Sequence, residues 1–220
     1  MIVEPKPRFH KELPDTIPVF PLSGALLMPG AQLPLNIFEP RYLRMVDDAL
    51  AGARTIGMIQ PRDSDARDTP KLFDVGCAGR ITSFSETGDG RYLITLTGVR
   101  RFRLIEEIHA DTPYRAAQVD WSAYEIDAHD DQSAADVDRD LLLEIMRDYL
   151  ESEGLNADWD AAQSAPVEAL VVSLAMGCPF LPSEKQALLE ASTVAEQAEC
   201  LMALMEMSGG DEQNGDTTLQ

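Results

Sequence analysis

The sequence predicts an α+β fold: a small, closed or half-closed β barrel carrying one helix, followed by an α-helical bundle. Three observations predict it. Up to Asp120 the chain reads as short apolar runs of strand length separated by Pro and Gly turns. After it, apolar residues recur at helical spacing beside capping sequences. The charge breaks at the same place: residues 1–120 hold 15 basic and 16 acidic side chains (net −1), and residues 121–220 hold 3 and 22 (net −19). The expected units are therefore a β domain over 13–120, an acidic helical bundle over 121–207 and a disordered tail over 208–220, with residues 1–12 as a poorly ordered lead-in.

Within the first unit, Ile17–Leu22 is apolar but holds Pro18 and Pro21, which predicts an edge strand because proline cannot donate to a ladder. Met28-Pro29-Gly30-Ala31 places Pro and Gly at the centre of a type II turn, where the glycine takes positive φ. Leu33–Ile37 is the next strand. Over Glu39–Ala51, Tyr42, Leu43, Val46, Ala49 and Leu50 recur at three- and four-residue spacing, the pattern of a helix with Pro40 in its first turn. Strands are expected at Thr55–Gln60, Val75–Ser85, Tyr92–Thr97, Arg101–Ile108 and Tyr114–Asp120. The segment between Gln60 and Lys71 reads as a polar loop, and Thr87–Gly90 as a hairpin turn.

The second unit opens on an acidic linker, Ser122–Ser133. Val137, Leu141, Ile145 and Tyr149 then form an apolar stripe opposite Asp136, Asp140, Glu144 and Asp148. A helix is expected over Pro166–Met176. Ser183–Gln186 and Thr193–Glu196 read as capping boxes that open two more, in the first of which Gln186 returns to the cap.

Composition excludes several functions. A net charge of −20 opposes general nucleic-acid binding, which needs cations against phosphate. No apolar run is long enough to span a bilayer, and residues 1–20 lack an apolar stretch, so no secretory leader is expected. Cys77, Cys178 and Cys200 are odd in number and widely spaced, so they build neither a disulfide framework nor a zinc site; reduced cytosolic thiols are expected. There is no phosphate-binding G-x-x-x-x-G-K-[ST] loop and no G-x-S-x-G elbow. His10, His109 and His129 are scattered, and Ser183 with Lys185 is explained by capping, so neither catalytic residues, metal ligands nor cofactors are expected. Gly76, Gly79 and Gly98 inside strands mark bulges or close backbone approach. Arg80, Arg91, Arg100, Arg101 and Arg103 are a candidate phosphate-binding set, but cross-strand pairing with Glu86, Asp89, Glu106 and Glu107 accounts for them better.

The segments VFPLSGALLMPGAQLPLNIFEPRYLRMV (19–46), VGCAGRITSF (75–84) and GRYLITLTGVRRFRL (90–104) resemble the N-terminal substrate-binding domain of Lon proteases. CPFLPSEKQALLEA (178–191) is similar to the helical half of stand-alone bacterial relatives that have no ATPase or peptidase domain. The resemblance implies a PUA-like β pseudo-barrel followed by helices, and a bacterial, cytoplasmic, non-enzymatic protein that binds polypeptide. Its implied partners are unfolded proteins or polypeptide segments, with a protease or chaperone beside them, and an adaptor or holdase role in protein quality control. RNA binding by the PUA-like fold is the alternative. Among the matched residues, Pro29, Gly30, Phe38, Glu39, Arg41, Tyr42, Gly76 and Gly98 are expected to be structural: Phe38 and Tyr42 packing the helix on the sheet, Glu39 and Arg41 fixing its start. An exposed apolar peptide-binding surface is expected at Leu26, Leu27, Met28 and Ile37.

Overall fold

The computed structural model of the chain describes residues 13–62, 70–109, 111–129 and 131–211; the expected lead-in, most of the polar loop and residues 212–220 of the expected tail lie outside these. The fold is α+β. Six strands, β1 (Thr16–Pro21), β2 (Gln32–Ile37), β3 (Thr55–Pro61), β4 (Leu72–Glu86), β5 (Tyr92–Ile108) and β6 (Arg115–Asp120), form one sheet in the order β2-β5-β4-β3-β1-β6. A further β5–β6 pairing closes five of them into a barrel and leaves β2 as an added strand on β5. The two runs expected at Tyr92–Thr97 and Arg101–Ile108 are one strand. Its register shift near Gly98–Arg100 bends it, so that its first half pairs with β2 and its second half with β6.

β1 corrects the expected edge strand. It lies inside the ring, antiparallel to β6 and parallel to β3. Its prolines are tolerated because the strand changes neighbours along its length: Pro18 stands opposite β6 only and Pro21 opposite β3 only. One flank of each proline is thus free of ladder bonds.

The Met28–Ala31 turn forms as expected, with Gly30 at φ 81° and Ala31 N–H donating to the Met28 carbonyl at 3.1 Å. Its backbone docks on β5, Gly30 N–H reaching the Gly98 carbonyl at 2.9 Å and Gly98 N–H the Ala31 carbonyl at 2.8 Å. Gly98 is required there, since a Cβ would sit 2.0 Å from the Met28 carbonyl oxygen. The helix α1 (Pro40–Ala51) follows β2, with Pro40 in its first turn.

The expected linker after Asp120 is instead two 3₁₀ segments, Ser122–Ala128, packed on β5 with Tyr124 and Asp127 buried, and Gln132–Asp136, whose Ser133 hydroxyl accepts from Ala195 N–H. The helices α2 (Arg139–Ser152), α3 (Trp159–Ser164), α4 (Val167–Gly177), α5 (Pro182–Glu190) and α6 (Val194–Asp211) complete the chain. Short α3 was not expected, and α6 runs four residues into the segment read as tail. On α2 the buried face is Leu142, Met146, Tyr149 and Leu150, rotated from the expected stripe, and Leu141 is exposed. A four-residue spacing drifts around a helix of 3.6 residues per turn, so a stripe chosen on that spacing alone misplaces the face.

Two apolar clusters hold the molecule. Ile17, Val19, Ile59, Ala78, Phe102, Ala117 and Val119 fill the barrel. The larger cluster is continuous from the barrel's outer face (Phe20, Leu27, Met45, Val75, Leu96) into the helices (Leu142, Val171, Leu188, Leu201).

Candidate functional site

The apolar residues expected to be exposed are core: Leu26, Leu27, Met28 and Ile37 are each at most 3% accessible. The Pro29-Gly30 turn docks the Met28 backbone on β5, and Leu26 and Leu27 belong to the apolar cluster that the barrel shares with the helices. Phe38, expected to pack α1, is instead 63% exposed. Tyr42 is buried with Met45, Val46 and Ala49 on the inner face of this helix, its ring 4.2 Å from that of Phe20. Glu39 accepts from Arg41 at 2.9 Å, and the Arg41 guanidinium lies over the Tyr42 ring.

The arginines are mostly committed elsewhere. Arg101 is 2% exposed; its backbone N–H donates to Asp127 at 2.8 Å and its guanidinium to the same carboxylate at 2.7–3.2 Å. The other guanidinium donors reach the carbonyls of Leu189, Ala191 and Ser192. Arg100 donates to the Tyr124 carbonyl, and Arg91 pairs with Asp89 at 2.9 Å. Glu107 is held by Arg115 of β6. Arg101, the innermost of the candidate phosphate-binding set, is therefore unavailable to an external anion. Lys185 is equally occupied, bonding the carbonyls of Gly24 and Met176, and Gln186 bonds the Val75 carbonyl rather than the cap. The cap is made by Glu184, which accepts from Leu181 N–H at 2.7 Å.

Exposed apolar groups gather at a different place, the end of the barrel formed by the β4–β5 hairpin. Phe84 and Leu93 are 42% and 47% exposed, on opposite faces of the hairpin, since Phe84 stands opposite Ile94 and Leu93 opposite Ser85. Phe84 meets Tyr92 edge-on at 5.0 Å, and Tyr92 stands opposite Ile37, which leads directly into Phe38. The Tyr92 hydroxyl donates to Asp47 of α1, which fixes this end of the hairpin to the helix. The hairpin projects past β3: Thr55 stands opposite Arg80, and from Ser83 to Glu86 β4 pairs only with β5 among the described residues. Between that open edge and the end of α1 lies a cleft of about 210 Å³ lined by Leu50, Arg54, Ile81, Thr82, Ser83 and Phe84. No local sequence pattern distinguishes these residues from ordinary strand residues; what exposes them is that β3 begins at Thr55 and leaves the hairpin arm uncovered.

Among the described residues no group of three or more His, Cys, Asp or Glu side chains is placed to hold a metal ion, and no helix is long and apolar enough to cross a membrane.

A family profile described as the ATP-dependent protease La (LON) substrate-binding domain matches residues 16–207. The chain belongs to this family. The match runs through both the barrel and the helices. Curated relatives include a Lon protease of Flavobacterium johnsoniae, 27% identical over 144 residues that make up 63% of this chain and 18% of that protein. Another is Lon protease 2 of Sorangium cellulosum, 32% identical over 110 residues, 48% of this chain and 13% of that protein. The chain thus spans less than a fifth of the length of these relatives. Two solved structures share the fold: a Lon N-terminal domain protein from Xanthomonas campestris (TM-score 0.61, 24% identity, covering 86% of this chain and 97% of that one) and the N-terminal domain of a Mycobacterium avium complex Lon protease (TM-score 0.62, 14% identity, covering 87% and 98%). Membership supports a substrate-binding role.

Proposed function

We propose that the chain binds polypeptide segments at the end of the β4–β5 hairpin, through Phe38, Phe84 and Leu93 and the cleft beside Phe84, and acts as an adaptor or holdase rather than as an enzyme. The observation that carries this reading is the exposure of Phe84 beside an uncovered strand edge, with Phe38 and Leu93 in solvent at the same end of the sheet, in a family whose description is substrate binding. Exposed apolar groups near an open edge offer an unfolded segment both side-chain contacts and unpaired backbone donors and acceptors. Polypeptides are accordingly its partners, with a protease or chaperone receiving what it holds. The three thiols are free, two of them buried, which fits a reducing compartment such as the cytoplasm.

The test is binding of a reduced, carboxymethylated protein that cannot fold. Replacing Phe38, Phe84 and Leu93 together by Ser removes exposed groups and leaves the core intact. The triple variant should keep its thermal midpoint and lose affinity about tenfold or more. Unchanged binding by a folded triple variant would move the site elsewhere.

A further inference from the structure

The cleft beside Phe84 has a chemistry more specific than an apolar patch. Its walls are Leu50, Ile81 and Phe84, and Arg54 stands among them. Among the described residues the Arg54 guanidinium has no ion-pair or hydrogen-bond partner, although nearby Arg44 pairs with Asp48 and Arg41 with Glu39. Arg54 also has φ 58°, the one positive value at a non-glycine among the described residues. A left-handed residue after a helix is usually glycine, since a Cβ there crowds the following carbonyl oxygen. The backbone is held in that conformation from both sides: Arg54 N–H donates to the Ala49 carbonyl, and the Arg54 carbonyl accepts from Ile81 N–H, each at 2.8 Å. These bonds join the end of α1 to β4 where the open edge begins.

We infer that this cleft receives the C-terminal end of an extended polypeptide, with an apolar last side chain between Leu50, Ile81 and Phe84 and the α-carboxylate on Arg54. The inference rests on the peptide-binding reading above and narrows it to chains with a free C-terminus. Charge complementarity selects the end of the ligand: a cation that lines an apolar cleft, without a partner among the described residues, fits a carboxylate attached to an apolar residue. The cleft is smaller than the sites that take whole small ligands, and its size suits one side chain. The open edge of Ser83–Glu86 offers the preceding residues strand pairing, so backbone bonds supply affinity and the cleft supplies selectivity. The near-neutral half of the chain carries the cleft, which limits repulsion of an anionic end.

The test is fluorescence anisotropy of the full chain with an N-terminally labelled, otherwise neutral decapeptide ending in Leu, prepared as the free acid and as the C-terminal amide. Arg54→Gly removes the cation while favouring the observed backbone; Arg54→Gln keeps a side chain of similar reach. The free acid should bind about tenfold more tightly than the amide. That preference should shrink with salt and vanish in both variants, with the amide unaffected and the thermal midpoint of Arg54→Gly no lower than that of the parent. Equal binding of acid and amide by the parent chain, with both lost in the Phe38/Phe84/Leu93 triple variant, overturns the carboxylate assignment and leaves the peptide-binding reading standing. Binding of neither peptide at millimolar concentration overturns both.

Discussion

Arg101 and Asp127 show how one buried ion pair can organise a fold. Burying a guanidinium is costly unless all its donors are used, and here they meet a carboxylate from the 3₁₀ segment and three carbonyls at the end of α5. No basic residue lies in the last turn of α3, α4 or α5, and each helix instead borrows a cation from elsewhere in the chain. Arg139 donates to Ala162, Gln163 and Ala165, Lys185 to Met176, and Arg101 to Leu189, Ala191 and Ser192. These carbonyls lack partners within their own helices, so the cations both satisfy them and oppose the helix dipoles. Asp127→Ala should therefore destabilise the protein by about 3–5 kcal/mol, because it leaves Arg101 charged and poorly paired in the interior. Equilibrium urea denaturation measures this; a loss under about 1 kcal/mol would mean that the carbonyls alone suffice. The sequence did not reveal this pairing. Arg101 was one of five arginines close together on strands, and Asp127 was one of many acids in an apparent linker.

At the scale of the element, the turn at Met28–Ala31 was legible because its conformation is dictated locally by Pro29 and Gly30. Its docking on β5 was not, since Gly98 is 68 residues beyond Gly30 and its role appears only when the two backbones meet. The consequence is testable with two glycines. Gly98→Ala should cost about 1–3 kcal/mol, as the new methyl meets a backbone carbonyl that cannot move without displacing the turn. Gly88→Ala, in the open hairpin loop with no atom near the new methyl, should change stability by less than about 0.5 kcal/mol. A chemical-denaturation series in which the two variants behave alike would remove the turn from its assigned place. The strand runs, α1 and the hairpin loop were legible in the same way, from apolar spacing and turn residues. The edge assignment of β1 failed because proline excludes a strand from the centre of a ladder only where both flanks are paired.

For the whole molecule, the break in charge at residue 121 coincides with a change of secondary structure, yet the larger core runs through it. Gln60 of β3 bonds the Pro182 carbonyl and receives Gly24 N–H, and Gln186 of α5 bonds β4, so polar contacts also stitch the halves together. The acidic half thus places its apolar face on the barrel and its charge in solvent, a division that favours solubility. Two outcomes are expected. The full chain should melt in a single transition by both near- and far-ultraviolet circular dichroism. Residues 1–120 alone should aggregate, because they would expose the barrel side of the shared core. A monodisperse, cooperatively folding fragment would show that the halves are energetically independent.

The sequence by itself determined the class of fold, the order of most elements, the charge division and the family resemblance, because each depends on residues close together in the chain. Only the tertiary structure decided which apolar residues face solvent. Leu26, Leu27, Met28 and Ile37 look as sticky in the sequence as Phe38, Phe84 and Leu93. The first four are covered by strands and helices distant in sequence, whereas Phe84 lies where β3 stops short of the hairpin and Phe38 and Leu93 stand in solvent at the end of β2 and the start of β5. Exposure is set by what packs over a residue, and the covering segments come from elsewhere in the chain.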